Sequence, residues 1–94
     1  MDDKQLQRAI QSVGKGCFVK YYKQFKDASR SNEDLIDLLM KNEKYTETAS
    51  ATRVSKSRSI INAQRAKDVL IDITKSERLD DEVKAKAREL LREL

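Results

Sequence analysis

The residues best suited to bind a ligand lie in the middle of the chain, where basic side chains are interspersed with hydroxyl side chains. Residues 44–67 carry six basic groups against one acid, Glu47, which gives a net charge of +5. The flanking parts contribute +1 (residues 1–43) and −2 (residues 68–94), so the excess that makes the whole chain +4 belongs to the middle. Lysine and arginine neutralise phosphates, and hydroxyls bind phosphate oxygens or base edges. The pattern therefore predicts a nucleic-acid interface.

A second run without acids lies between Asp3 and Asp27 and contains six basic residues. At about 100° per residue, positions 4, 8, 15 and 23 fall nearly opposite an apolar stripe at 6, 10, 13 and 21. This basic face is either a surface for a polyanion or simply the solvated side of a helix. We include Lys23 from this run among the candidate nucleic-acid contacts.

Catalytic groups are scarce. The chain has no histidine, which excludes Ser-His-Asp and Cys-His nucleophiles and zinc sites of Cys/His type. Cys17 is the only cysteine, and among apolar neighbours it is predicted to be a buried, inert thiol. The Gly14–Gly16 segment lacks the spacing of a phosphate-binding loop. Carboxylates at helical spacing, such as Asp34 and Asp37, are typical of surface ion pairs. We therefore expect no enzymatic activity, no metal, no cofactor and no small-molecule substrate.

The composition predicts an all-α fold. There are no prolines and only two glycines, whereas lysine, glutamate, leucine, arginine and alanine, which favour helices, are abundant. We expect a compact bundle of about five or six short helices in a single domain covering residues 1–94. Only 38% of residues are apolar, so the core is either thin or completed by a second copy of the chain. A homodimer is therefore a possible assembly.

Local signals place the helix boundaries. Glycines at 14 and 16 predict a break between two short helices, with a single kinked helix as the alternative. Ser31 is a predicted N-cap, and Thr46 or Thr48 is another. The apolar residues at 35–40 are predicted to be the centre of the core, in a helix that ends near 41–42. Whether residues 47–75 form one helix or two stays open, and Asp80 is predicted to cap the last helix.

Residues 33–61 consist of an apolar helix (Leu35–Met40), a short polar connector (Asn42–Thr46) and a second helix rich in serine, threonine, alanine, arginine and lysine. The segment resembles the helix-turn-helix of bacterial and phage DNA-binding proteins, although its connector lacks the common glycine. The resemblance implies that the second helix enters the major groove of duplex DNA. The candidate contacts in it are Thr48, Ser50, Thr52, Arg53, Lys56 and Arg58.

The side-chain types suggest roles for these candidates. The planar fork of Arg53 suits guanine or a phosphate, while Lys56 and Arg58 suit phosphates. Free amides at Thr46–Ala49 could also dock a phosphate. Alternatively, the serines and threonines simply face water while Ala51, Val54 and Ile61 join the core, and Arg58 buries its stem at the core edge. RNA or another polyanion is a further alternative to duplex DNA.

Five aromatic residues could stack on bases: Phe18, Tyr21, Tyr22, Phe25 and Tyr45. Most share the apolar stripe and are predicted to be core residues. Tyr22 lies off the stripe beside two lysines and is the one aromatic candidate for a nucleic-acid contact.

The sequence thus predicts a small DNA-binding protein, either a regulator or an accessory factor of a phage or mobile element. The alternative is a helical protein-interaction module, an inhibitor or assembly adaptor, that uses the Leu90, Leu91 and Leu94 face. No apolar run is long enough for a membrane span, and the first residues lack a signal-peptide pattern. We therefore expect a cytoplasmic protein without a membrane partner.

Overall fold

Seven α-helices and no strands make up the computed structural model of the protein, which describes residues 1–94. The helices are α1 (Asp3–Val13), α2 (Lys15–Lys20), α3 (Tyr22–Lys26), α4 (Asn32–Glu43), α5 (Glu47–Asn62), α6 (Ala66–Thr74) and α7 (Asp81–Glu93). The Cα radius of gyration is 12.5 Å, close to the roughly 12 Å expected of a compact chain of this length. The predicted all-α class is confirmed. None of the helices combines the length and apolar content that crossing a membrane requires.

The first apolar segment is divided at two points rather than one. Gly14 has a φ of +86°, a left-handed value that ends α1, and Tyr21 separates α2 from α3. The break predicted at the glycines is confirmed, and the alternative of one kinked helix is wrong. The second break, together with the division of residues 47–75 into α5 and α6, gives seven helices where about five or six were expected.

The α4–α5 pair begins at the caps that the sequence predicted. Ser31 Oγ accepts the N–H of Asp34 at 3.1 Å, and Thr46 Oγ1 accepts the N–H of Ala49 at 3.1 Å. Helix α4 continues to Glu43, one or two residues past the predicted end, because Lys44 rather than Asn42 takes the left-handed conformation, with a φ of 62°. Three residues, Lys44–Thr46, therefore connect the two helices. Asp80 stands at the N-cap position of α7, but its side chain makes no capping hydrogen bond.

The core has two clusters of buried side chains. The larger has 14 residues, mostly from α1, α2, α6 and α7, with Ile60 from α5. The smaller has five residues, Tyr21, Phe25, Leu35, Leu39 and Val54, and joins α4 to α5. The prediction that residues 35–40 form the centre of the core is wrong. Helix α4 buries only Leu35 and Leu39 completely, and Met40 turns outward with 36% of its surface exposed.

Candidate nucleic-acid interface

One face of α5 packs into the core and the opposite face lies in solvent. The buried positions are Ser50, Val54, Ser57 and Ile60. At its two ends α5 also exposes Glu47 and Asn62, and between them the exposed positions are Thr48, Thr52, Ser55, Lys56 and Ser59. At about 100° per residue, these five positions fall within an arc of about 100°, so they share one face. We call them the hydroxyl face of α5. It contains four hydroxyls, one ammonium group and no carboxylate.

A groove between α1 and α5 borders the hydroxyl face. Its volume is about 320 Å³, and it is lined by Met1, Gln5, Arg8, Ala9, Ser12, Lys56 and Ser59. No acidic side chain lines it, and neither Arg8 nor Lys56 forms an ion pair. The two basic runs of the sequence therefore meet here, Arg8 from the first and Lys56 from the second.

The opposite side of α5 is acidic. A groove of about 310 Å³ between α4 and α5 is lined by Glu33, Ile36, Asp37, Met40 and Glu47. None of its three carboxylates forms an ion pair. The N-terminus of α5 therefore lies beside a concentration of negative charge. Electrostatics disfavours the phosphate dock expected at Thr46–Ala49, and the Ala49 amide is already occupied by its cap.

Arg58 is turned inward and holds a loop. Its Nε donates to the carbonyl of Phe25 at 3.2 Å, and its Nη2 donates to the carbonyls of Asp27 at 3.0 Å and Arg30 at 2.7 Å. Its Nη1 donates to Asn32 Oδ1 at 2.7 Å. All four acceptors belong to the end of α3, the following loop and the start of α4. In the folded chain Arg58 therefore fastens the α3–α4 connection to α5, and its expected phosphate contact stays a prediction.

Arg53 also serves the interior of the fold. Its Nη1 donates to the carbonyl of Val13 at the end of α1, and its guanidinium lies 4.0 Å from the centroid of the Tyr45 ring. These contacts link α1 and the α4–α5 connector through α5. One donor of the Arg53 guanidinium is thus committed to a carbonyl and its face to a ring, and the expected contact with guanine or phosphate stays a prediction.

Cys17 lies near Arg53 and is half-buried, less than the sequence predicted. Burial raises the pKa of the Cys17 thiol, and the adjacent positive charge of Arg53 offsets only part of that rise. Thiols with a raised pKa hold little thiolate and react slowly.

Three other predicted nucleic-acid contacts do not lie on the hydroxyl face of α5. Ser50 is completely buried, so the folded chain does not present it to DNA, and its hydroxyl has no hydrogen-bond partner. Lys23 is exposed, but it pairs with Glu93 of α7 at 3.4 Å and does not line the α1–α5 groove. Tyr22 is only 4% exposed and packs edge-on against Phe18, with ring centroids 5.6 Å apart, so its expected role as a nucleic-acid contact is wrong.

Sequence reasoning missed some members of this surface. Arg8 appeared only as part of a general basic face, and Ser55 and Ser59 were not singled out. A helical wheel of residues 47–62 places both serines beside Thr52, so the sequence periodicity was sufficient to predict that they share its face. Nothing in the sequence placed Arg8 next to Lys56, since they belong to different helices.

Comparisons with models of protein families, with curated proteins and with solved structures find no match to this chain. The geometry and charge of its own surface therefore carry the functional argument.

Proposed function

We propose that the protein is a small, non-enzymatic nucleic-acid-binding protein that contacts duplex DNA through the hydroxyl face of α5. The observation that carries the proposal is the composition of this face: four short hydroxyl side chains and Lys56, with no carboxylate among them. Short hydroxyl side chains allow a helix to approach base edges and phosphates closely, and lysine adds attraction to the backbone. Of the contacts predicted from the sequence, Thr48, Thr52 and Lys56 belong to this proposed interface.

The α4–α5 pair supports the proposal. Its connector has three residues, Lys44–Thr46, which fits the three to four residues usual in a helix-turn-helix. Lys44 adopts the left-handed conformation that a glycine often takes in such turns. The absence of glycine therefore does not prevent a tight turn. Arg53 and Arg58 support the unit indirectly, because they attach α5 to α1 and to the start of α4.

The alternative, a protein-interaction module, has less support. Leu90 is buried in the larger cluster and Leu91 packs against that cluster, which leaves only Leu94 substantially exposed from the expected apolar face. The other exposed large apolar residues are Met1 and Met40, on different elements. Interaction surfaces usually offer a contiguous apolar patch. Homodimer formation stays a prediction.

A salt-titrated binding assay with a fluorescent duplex tests the proposal. We expect the full chain to bind at low salt and to lose affinity steeply as salt rises. Lys56→Ala should weaken binding and reduce the slope of log affinity against log salt by about 1, as expected for one lost phosphate contact. Lys75→Ala is the matched control, since Lys75 is also exposed and unpaired but follows α6.

Thr52→Glu provides a second test, because it places a carboxylate in the middle of the hydroxyl face. We expect it to reduce affinity more strongly than Lys56→Ala, since it adds repulsion and removes a donor. Failure of the wild-type chain to bind duplex DNA at low salt would refute the proposal. Equal losses in the Lys56 and Lys75 variants would refute the assignment to α5.

A further inference from the structure

The α1–α5 groove gathers hydrogen-bond donors and positive charge from two helices. Arg8 provides a guanidinium, Lys56 an ammonium group, and Gln5 and Ser59 provide an amide and a hydroxyl. An arginine fork and an ammonium group facing one cavity suit the tetrahedral oxygens of a phosphate.

The hydrogen bonds near the groove leave donor groups of Gln5 and Ser59 free to bind a ligand. Gln5 Oε1 accepts the N–H of Asp2 at 3.0 Å, so the oxygen of this amide is engaged and its NH₂ group is left to donate. The carboxylate of Asp2 accepts the N–H of Gln5 at 2.7 Å, which turns this acid to the end of α1. The hydroxyls of Ser12 and Ser59 differ, because Ser12 Oγ donates to the carbonyl of Arg8 whereas Ser59 makes no internal bond.

Other surface grooves suit an anion less well. The groove between α1 and α6 has Asp3, Asp68 and Asp72 in its walls. The groove along α2 and α7 includes Glu43 and Glu82. A groove with Lys26 and Lys67 also lacks acidic side chains, but four of its seven lining residues are hydrophobic. Among these grooves, the α1–α5 groove alone combines two cations that form no ion pair with a lining in which five of the seven residues are polar.

We infer that the α1–α5 groove binds one phosphate group of the DNA backbone, held between Arg8 and Lys56. The inference rests on the proposed function and extends it, because it makes α1 part of the interface. It also fixes an orientation: the backbone lies across α1 and α5, and the acidic groove between α4 and α5 faces away from DNA. The N-terminus of α5 is then not the phosphate-contacting end.

The first arm of the test measures duplex binding of Arg8→Ala. One lost phosphate contact corresponds to an affinity about 8-fold weaker at 0.1 M salt, from the counterion-release slope of roughly 0.9 per contact. Arg8→Lys, which keeps the charge, should recover most of this loss, and Lys75→Ala should show neither effect. Circular dichroism checks that each variant is folded, which we expect because Arg8 is exposed.

The second arm titrates inorganic phosphate into the ¹⁵N-labelled protein without DNA. In the wild type we expect phosphate to shift the NMR signals of the Gln5 side-chain amide and of Arg8. In Arg8→Ala we expect no shift of the Gln5 amide. Sodium chloride at matched ionic strength is the control for general screening.

The two arms separate the inference from the proposed function. If the wild type binds duplex DNA and Arg8→Ala binds equally well, the backbone contact in the groove is refuted while the DNA-binding proposal stands. Should phosphate shift the groove signals in a chain that binds no duplex, the groove is a site for free phosphate and the DNA proposal fails. If phosphate shifts no groove signal and the chain binds no duplex, both the phosphate site and the DNA-binding proposal are refuted.

Discussion

Arg58 offers the sharpest test of how the α5 cations divide between structure and binding. Its guanidinium donates four hydrogen bonds to the connection between α3 and α4. If these bonds hold the loop on α5, replacing Arg58 lowers stability. If Arg58 contacts DNA instead, replacing it lowers affinity and leaves stability unchanged.

The expected loss of stability follows from the acceptors. The bond to Phe25 is partly buried, whereas the other three lie in exposed surroundings where water replaces the lost donor. Counting about 1.5 kcal/mol for the partly buried bond and about 0.5 kcal/mol for each exposed one, Arg58→Ala costs about 3 kcal/mol. That is a large part of the roughly 5–14 kcal/mol typical of a chain of this length. The melting temperature should fall by about 15 °C.

Urea denaturation followed by circular dichroism measures this loss. Lys56→Ala is the control on the same helix, and because Lys56 is exposed and makes no internal bond, it should stay within about 0.5 kcal/mol of the wild type. Arg58→Lys keeps the charge but cannot reach four acceptors with one ammonium group, so it should lose about 2 kcal/mol. Assayed at a temperature where it is folded, Arg58→Lys should bind duplex DNA as the wild type does.

The opposite pattern would refute the assignment. An Arg58→Ala variant with the wild-type urea midpoint and a much weaker affinity for DNA would show that the guanidinium contacts DNA rather than the loop. A matching loss of stability in Lys56→Ala would show that the urea assay does not distinguish the two cations.

Two further predictions concern positions away from the interface. Gly14→Ala should destabilise the fold by about 1–2 kcal/mol, because the φ of +86° strains any residue with a Cβ and that Cβ would lie 3.1 Å from a guanidinium nitrogen. Gly16→Ala should not, since a Cβ there meets nothing within 4 Å; equal thermal melts for the two variants would contradict the reasoning. Hydrogen bonds from Lys20 and Tyr21, both 2.8 Å long, hold the pKa of Glu43 below its usual 4.5. The stability that these bonds add is fully present above the ordinary pKa of 4.5, and it is lost as the pH falls through the lowered pKa. Glu43→Gln should therefore cost about 1 kcal/mol at neutral pH and converge with the wild type in acid, as urea midpoints across pH would measure; a constant difference would argue against it.

The local signals in the sequence predicted the helix ends well. The caps at Ser31 and Thr46 and the break at Gly14 depend on residues within a few positions of one another, so the sequence holds the necessary information. The position of Tyr22 was predicted wrongly because the rotation of 100° per residue was carried through residues 4–26 as if they formed one continuous helix. The breaks at Gly14 and Tyr21 reset the helical phase, which turns Tyr22 into the core together with Tyr21.

The burial of Ser50 and Ser57 shows another limit of pattern reasoning. Both hydroxyls lie in the interior without a partner, although serine is usually an exposed residue. They share the buried side of α5 with Val54 and Ile60, but the apolar side chains of this helix are spread widely around it, so its periodicity marks the buried side only weakly. The small size of serine makes it acceptable there, and packing with the neighbouring helices decides the outcome.

By itself, the sequence determined that the chain is helical, where most helices begin, and that its positive charge is concentrated in residues 44–67. Tertiary structure alone decided which of those cations find hydrogen-bond acceptors within the chain. Arg53 and Arg58 find carbonyl acceptors far away in the sequence, at Val13 and in the α3–α4 connection, and donate hydrogen bonds to them. Lys56 finds none, and folding brings Arg8 to its side. Side-chain type fixes what a cation can bind, but the acceptors that the folded backbone places within reach decide what it does bind.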